Sequence, residues 1–391
     1  MKKYSAQYIF TNSGQPLKRG IITTDDDGVI LDVEDTGGTL AEKRAVEFHN
    51  GIIIPGFVNS HCHTELSHLK GLAEKGRGLG NFIEQVRSGR EINIDSMISS
   101  ALKADDEMLR EGIVLCADIC NTSVTFKIKS RSRIKYINLL EVFGIEPSKA
   151  QKRIDEILKV AEVCKSLNLT YYIVPHAVYS TSLPLFRLIG KLSQNNKVTS
   201  MHFMESEGEK EFLNSHSGPF ALSYQKSGLM PLSPEMVSSH EEAVLKEITS
   251  SGNLILVHNT FAGIETVDSL EKREGLFWCL CPGSNMYIEN KLPDVCMLKE
   301  AGCRIVIGTD SLASNHKLSI IEELKTLQGR FPEITLEEMI RWATINGALA
   351  LGESENYGSI EPGKRPGLIL LRDTDLTNLR LLPHSSVSRL I

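Results

Sequence analysis

A (β/α)8 TIM-like barrel, in the α/β class, is the architecture that this chain's pattern favours, on three observations. Eight short apolar runs succeed one another between residues 56 and 315. Each run is continuous rather than alternating, as in parallel strands buried on both faces. Amphipathic helical stretches separate the runs, and eight strand–helix units over ~260 residues fit such a barrel. A doubly wound open sheet is the competing arrangement. It is weakened because no glycine-rich phosphate loop follows the first run.

The first 55 residues read as short strands and turns. Asp25-Asp26-Asp27-Gly28 is a turn signal between the apolar stretches at 8–10 and 21–22 and the stretch at 29–33. The eight runs follow at 56–60, 113–117, 136–142, 170–175, 198–201, 254–257, 276–280 and 304–308. Met97, Ala101, Ala104 and Met108 recur at helical spacing and predict a helix over 95–110. Ile154, Ile157, Leu158, Val160, Ala161 and Val163 predict another over 149–167. A third is expected over 233–249, where Ser233 would cap and Pro234 would take the first helical position. Residues 358–371 read as a turn and then a strand, so both ends of the chain are β-like.

The chain has 391 residues, 41% hydrophobic and 24% charged, which excludes disordered, collagen-like and coiled-coil classes. A net charge of −6 gives no general grip on nucleic acid, which needs a basic face. One basic run, Lys127, Lys129, Arg131, Arg133 and Lys135, is expected to form a solvated face; the alternative is a hold on an anionic substrate group. Eight scattered cysteines read as reduced thiols. Cys279 and Cys281 would share a strand face, but no second pair stands at zinc-site spacing. No apolar segment follows Met1-Lys2-Lys3 as in a leader, and no apolar run could span a bilayer. The expectation is a soluble cytoplasmic protein acting on a small molecule, without a nucleic-acid or membrane partner. Assembly into a homo-oligomer is left open.

Catalytic groups of a parallel barrel project from the C-terminal ends of its strands. The polar residues that close each run are therefore the candidates. Run one ends in His61 and His63, two apart and so on one side of a strand, where two imidazoles can grip one divalent ion. Run five ends in His202, a third possible nitrogen, with Glu205 three residues on and placed for proton transfer. Run six ends in His258, either a fourth imidazole ligand or a base near the metal. Run eight ends in Asp310, which would complete a nitrogen and oxygen shell, the ion offsetting its buried charge. Run four ends in His176, a substrate contact or a hydrogen-bonded rim residue, with no lysine there to bridge two metals. One catalytic ion is expected: zinc first, with iron and manganese also suited to this donor set. His49, His216, His240, His316 and His384 lie in polar surroundings and read as surface residues; His68 is unassigned.

Pro55-Gly56-Phe57-Val58-Asn59-Ser60-His61-Cys62-His63, His202 with Glu205, His258, and Gly308-Thr309-Asp310-Ser311-Leu312-Ala313-Ser314-Asn315 resemble the amidohydrolase superfamily. Pro175-His176-Ala177-Val178-Tyr179-Ser180, Cys281-Pro282-Gly283-Ser284-Asn285 and Ile360-Glu361-Pro362-Gly363-Lys364 are similar to its deaminase and chlorohydrolase branch, which holds S-adenosylhomocysteine and aminodeoxyfutalosine deaminases. The resemblance implies a metal-bearing barrel over 56–352 and a small β-sandwich built from 1–55 and 353–391. With about twenty residues after Leu371, the C-terminal part of that sandwich is expected to be abbreviated. By position, His61, His63, His202 and Asp310 look like the metal shell, Glu205 and His258 like the proton-handling pair, and His176 like a substrate contact. Asp310 would also help pass a proton to the leaving group. Glu84 best matches a glutamate that contacts ribose hydroxyls in the nucleoside deaminases. The implied activity is hydrolysis of a non-peptide C–N bond, with ammonia removed from an adenine-type nucleoside such as aminodeoxyfutalosine, S-adenosylhomocysteine or methylthioadenosine. Triazine chlorohydrolysis and a non-catalytic metal-binding barrel are the alternatives.

Overall fold

The computed structural model describes residues 1–39, 45–89, 93–229 and 235–391. Strands β1 (Lys2–Ile9), β2 (Leu17–Lys18), β3 (Ile21–Thr24), β4 (Ile30–Glu34) and β5 (Val46–Pro55) come first. Strands β6 (Phe57–Cys62), β7 (Ile113–Cys120), β8 (Lys135–Val142), β9 (Tyr171–Pro175), β10 (Val198–Phe203), β11 (Asn253–His258), β12 (Leu276–Leu280) and β13 (Ile305–Ile307) follow. They correspond to the eight apolar runs. Strands β14 (Leu368–Arg372) and β15 (Ser386–Arg389) end the chain.

β6-β7-β8-β9 and β10-β11-β12-β13 are two four-stranded sheets. Their pairings are parallel, and the spatial order follows the chain order, without the reversal of a doubly wound sheet. The sheets meet at two seams. At one, Cys62 bridges Asp310, and Thr309 N donates to His61 O at 3.0 Å. At the other, His202 N donates to His176 O at 2.8 Å. A Cβ on Gly308 would lie 2.8 Å from His61 Cβ, so the first seam requires glycine there. Val58, Leu115 and Ile137 of one sheet share a buried cluster with Val198, Ile255 and Val306 of the other. β6, β7 and β10 are buried at every residue, which is why their sequences run apolar without alternation.

Strands from both chain ends form a seven-stranded sheet in the order β15-β14-β5-β1-β3-β4, with β2 on β1. β14 pairs antiparallel with β5, which runs into β6 through Gly56. The helices expected at 95–110 and 149–167 are Ile94–Arg110 and Ala150–Ser166. The expected helix at 233–249 is corrected. Ser233 and Pro234 lie outside the described residues, and helix begins only at His240, capped by Ser239. It lasts one α turn, His240–Glu242, before a wider π turn, Ala243–Glu247. All eight cysteines are unpaired. Among the described residues no helix is long and apolar enough to cross a membrane.

Candidate metal centre and active site

The residues that close β6, β10 and β11, with Asp310 just past β13, converge at one end of the two sheets. The chain leaves three of these strands in left-handed conformations, at Met204 (φ 46°), His258 (φ 77°), Asn259 (φ 58°) and Asp310 (φ 57°). Non-glycine residues there cost roughly 1–3 kcal/mol each, a cost that persists where function demands the geometry. His61, His63, His202, His258, Glu205 and Asp310 are all buried. His61 Nε2 lies 3.1 Å from His63 Nε2. Asp310 Oδ1 lies 3.6 Å from His61 Nε2 and 3.4 Å from His63 Nε2. Ligand-capable atoms of His61, His202 and His258 likewise fall within 4.8 Å of one another.

The donor set fits a divalent ion. Ligand atoms bonded at ~2.1 Å to one tetrahedral ion stand ~3.4 Å apart, close to the spacings above. Burial, with the neighbouring imidazoles, holds His202 well below the ordinary imidazole pKa. Burial holds His63 there too, His61 adding to it against the pull of Asp310. These rings are therefore neutral and keep a lone pair to give. Burial pushes Asp310 up, but the hydrogen bond from His61 and the imidazoles of His63 and His258 outweigh it, and the carboxyl lies well below its ordinary value. A buried carboxylate calls for a cation. Ser284 Oγ donates to Asp310 Oδ2 at 2.6 Å, and Ser314 Oγ donates to the same oxygen.

Burial, reinforced by Asp310 and Glu209, raises Glu205 well above the ordinary carboxyl value, which favours its protonated form. Glu205 Oε1 stands 3.6 Å from His258 Nε2. Burial brings His258 down to about 4. Its other nitrogen, Nδ1, is 2.8 Å from Asn285 Oδ1. The amide oxygen accepts, so Nδ1 carries the proton and Nε2 faces the site with a lone pair.

A cavity of about 360 Å³ opens over these groups. His63, His202, Glu205, His258 and Asp310 line its floor, and Leu79, Phe82, Phe143, Phe220 and Tyr224 supply apolar wall. His176 is half-buried in the wall, with Nδ1 2.6 Å from Ser180 Oγ. Glu84 is placed elsewhere: its carboxylate pairs with Lys226 Nζ at 3.0 Å, while its helix (Gly78–Gly89) turns Phe82, Ile83 and Val86 to the cavity. His68 is half-buried outside the lining, with Nδ1 3.0 Å from Glu65 O.

Two further expectations are corrected. His240 is 3% exposed rather than at the surface, with Nε2 2.9 Å from Glu209 Oε2. Lys129 is also buried, its ammonium on the Asp118 carboxylate, whereas Lys127, Arg131, Arg133 and Lys135 are exposed. Sequence reasoning missed Glu141, whose Oε1 lies 3.4 Å from His202 Nδ1 and which lines the cavity. It closes the run at 136–142, so the test that found the histidines could have found it.

Imidazoles and one carboxylate, gathered at the ends of parallel strands beneath a cavity, form a donor set that could hold a divalent ion. The model of the amidohydrolase family matches residues 52–385, and the chain belongs to that family. It is 26% identical over 339 residues to an adenosine deaminase of Helicobacter pylori, spanning 83% of this chain and 80% of that protein. It is 26% identical over 359 residues to a 5-methylthioadenosine/S-adenosylhomocysteine deaminase of Caldicellulosiruptor saccharolyticus, spanning 89% of this chain and 78% of that one. The fold is shared with the crystal structure of Helicobacter pylori aminofutalosine deaminase in complex with methylthio-coformycin. The TM-score is 0.84 at 22% identity, and both chains are covered completely.

Proposed function

We propose that this chain is a metal-dependent aminohydrolase that replaces the 6-amino group of an adenine-type nucleoside by oxygen and releases ammonia. The observation that carries the reading is the pair Glu205 Oε1 and His258 Nε2, 3.6 Å apart, beside two triads that share His61: His61, His63 and Asp310, and His61, His202 and His258. The deaminase relatives support it. On this reading β6–β13 close into one (β/α)8 barrel over 56–352, and the chain ends at 1–55 and 353–391 form the small domain.

His61, His63, His202 and Asp310 would hold the ion, for which we propose zinc. Bound there, a divalent cation supplies the Lewis acidity that brings the pKa of water from 15.7 to about 7. His258 accepts a proton from the attacking water at Nε2, in the tautomer that Asn285 sets. Glu205 gives its proton to the ring nitrogen beside the amino-bearing carbon, neutralising charge as the tetrahedral centre forms. Asp310, kept ionised, assists proton delivery to the departing ammonia. His176 contacts the base from the wall, and Leu79, Phe82, Phe143 and Phe220 enclose a side group bulkier than that of adenosine, as in methylthioadenosine, S-adenosylhomocysteine or aminodeoxyfutalosine.

Metal analysis combined with an ammonia assay over 6-amino purine nucleosides tests the reading. One ion per chain and multiple-turnover ammonia release, greatest for 5′-substituted nucleosides, is expected. Release of chloride from chlorotriazines with no ammonia from any nucleoside would overturn it.

A further inference from the structure

The turn that carries Glu205 is held by two buried residues that the proposed chemistry does not use. β10 ends at Phe203, Met204 turns left-handed, and Glu205 follows. Glu205 N and Ser206 N both donate to Glu209 Oε1, at 2.8 and 3.0 Å. A glutamate at the third helical position ordinarily closes a capping box by taking one backbone N–H. Glu209 closes that box for the helix Glu207–Ser215, takes a second N–H, and is 0% exposed. Its other oxygen, Oε2, accepts from His240 Nε2 at 2.9 Å. The His240 ring packs edge-on against Phe203, centroids 5.4 Å apart. One carboxylate thus ties the strand end, the helix start and the turn at His240–Glu242.

We propose that Glu209 and His240 are positioning residues that clamp the backbone of Glu205 and so set the reach of its carboxyl. This rests on the reading of Glu205 as proton donor. Proton transfer needs a heavy-atom approach of ~2.6–3.2 Å, and a misplacement near 1 Å costs about 10²-fold. Anchored at both oxygens, Glu209 cannot swing out to water, as a capping carboxylate on a surface can. Without His240, its buried Oε2 loses its partner, and rearrangement to recover one drags the Glu205 N–H with it.

The test compares the metal-loaded parent with Glu205→Gln, His240→Leu, His240→Gln and the double variant Glu205→Gln/His240→Leu, reading kcat and KM for ammonia release and metal content. His240→Leu is expected to lower kcat roughly 10- to 100-fold with KM changed less than about threefold and metal content unchanged. His240→Gln, whose amide can donate to Glu209 Oε2, should recover most of that loss. In the Glu205→Gln background His240→Leu should cost less than about twofold, because its effect passes through Glu205. Parental kcat in His240→Leu, an equal factor lost in both backgrounds, or activity lost in step with metal would each overturn the clamp. If His240→Leu does not yield folded protein, His240→Asn, too short to reach Glu209, carries the same comparison. Parental kcat in Glu205→Gln would instead defeat the proton-donor reading, whereas its loss beside parental kcat in His240→Leu would defeat the clamp alone.

Discussion

Lys129→Met should destabilise the protein by about 3–5 kcal/mol, because it strands a buried charge. Lys129 ends the one-turn helix Phe126–Lys129, and its side chain is 1% exposed against 0% for Asp118. Its ammonium sits on Asp118 Oδ2 and also reaches Cys120 Sγ and Asn138 Oδ1, each at 3.0 Å. Burial alone would lower the Lys129 pKa; the Asp118 carboxylate outweighs it and holds the ammonium above its ordinary value. Methionine keeps most of the stem's volume and removes the cation. Asp118 would then retain Thr64 N at 2.8 Å, Thr64 Oγ1 at 2.6 Å and the weak Cys120 thiol at 3.9 Å, with no cation to balance it. Adding Asp118→Asn discharges the stranded group and should recover ~1–3 kcal/mol, while keeping an acceptor for Thr64. Urea midpoints, converted with the measured slope, give the comparison. Metal content should be read alongside, because Thr64 directly follows His63. A loss under ~1 kcal/mol in Lys129→Met, or no recovery in the double variant, would refute the reasoning.

His202→Ala should weaken metal retention on dialysis by more than the ~10- to 100-fold typical of losing an outer partner, and unchanged occupancy would remove it from the ligand set. Asn285→Leu frees the His258 tautomer, so kcat for ammonia release should fall ~10- to 100-fold with metal retained; a parental kcat would show that Asn285 does not orient the ring. Burial raises Glu323 to about 8, against an ordinary 4.5. The native state therefore holds a proton between those values that the unfolded chain has released, and this stability, fully present below 4.5, is lost as pH climbs to 8. Glu323→Gln should remove that decline, which runs at about 1.4 kcal/mol per pH increment of one within the window; parallel stability–pH curves for the two proteins would count against it.

The strands and the histidines were legible in the sequence for one physical reason. Polar residues rarely close buried apolar strands unless something binds them, so His61, His202, His258 and Asp310 stand out locally. The same rule reaches Glu141, but a lone carboxylate at a strand end reads as solvated until its neighbour strand is known. His240 and Lys129 were not legible, because their burial comes from partners that no local pattern marks: Glu209, 31 residues before His240, and Asp118, on the strand just before the Lys129 helix. The placing of Glu84 on Lys226, outside the cavity lining, was not legible for a related reason. Periodicity places it on a helix but not on the face that meets the cavity, and Phe82, Ile83 and Val86 occupy that face. At 233–249 the local cap signal did not fix where the helix begins; Ser239 caps it instead, and its first residue, His240, is held by Glu209.

The seam between β6 and β13 has a consequence for biosynthesis. Asn59 Nδ2 donates to Thr309 Oγ1 at 2.8 Å, and Thr309 N returns a bond to Asn59 Oδ1 at 3.1 Å, across 250 residues of chain. A nascent polypeptide thus emerges with His61, His63 and His202 long before Asp310, so on the proposed reading the donor set is complete only once residue 310, in the last quarter of the chain, has been translated. If His61 and Asp310 hold one ion in the finished molecule, the denaturant concentration at which it escapes to a chelating dye should mark the opening of that join.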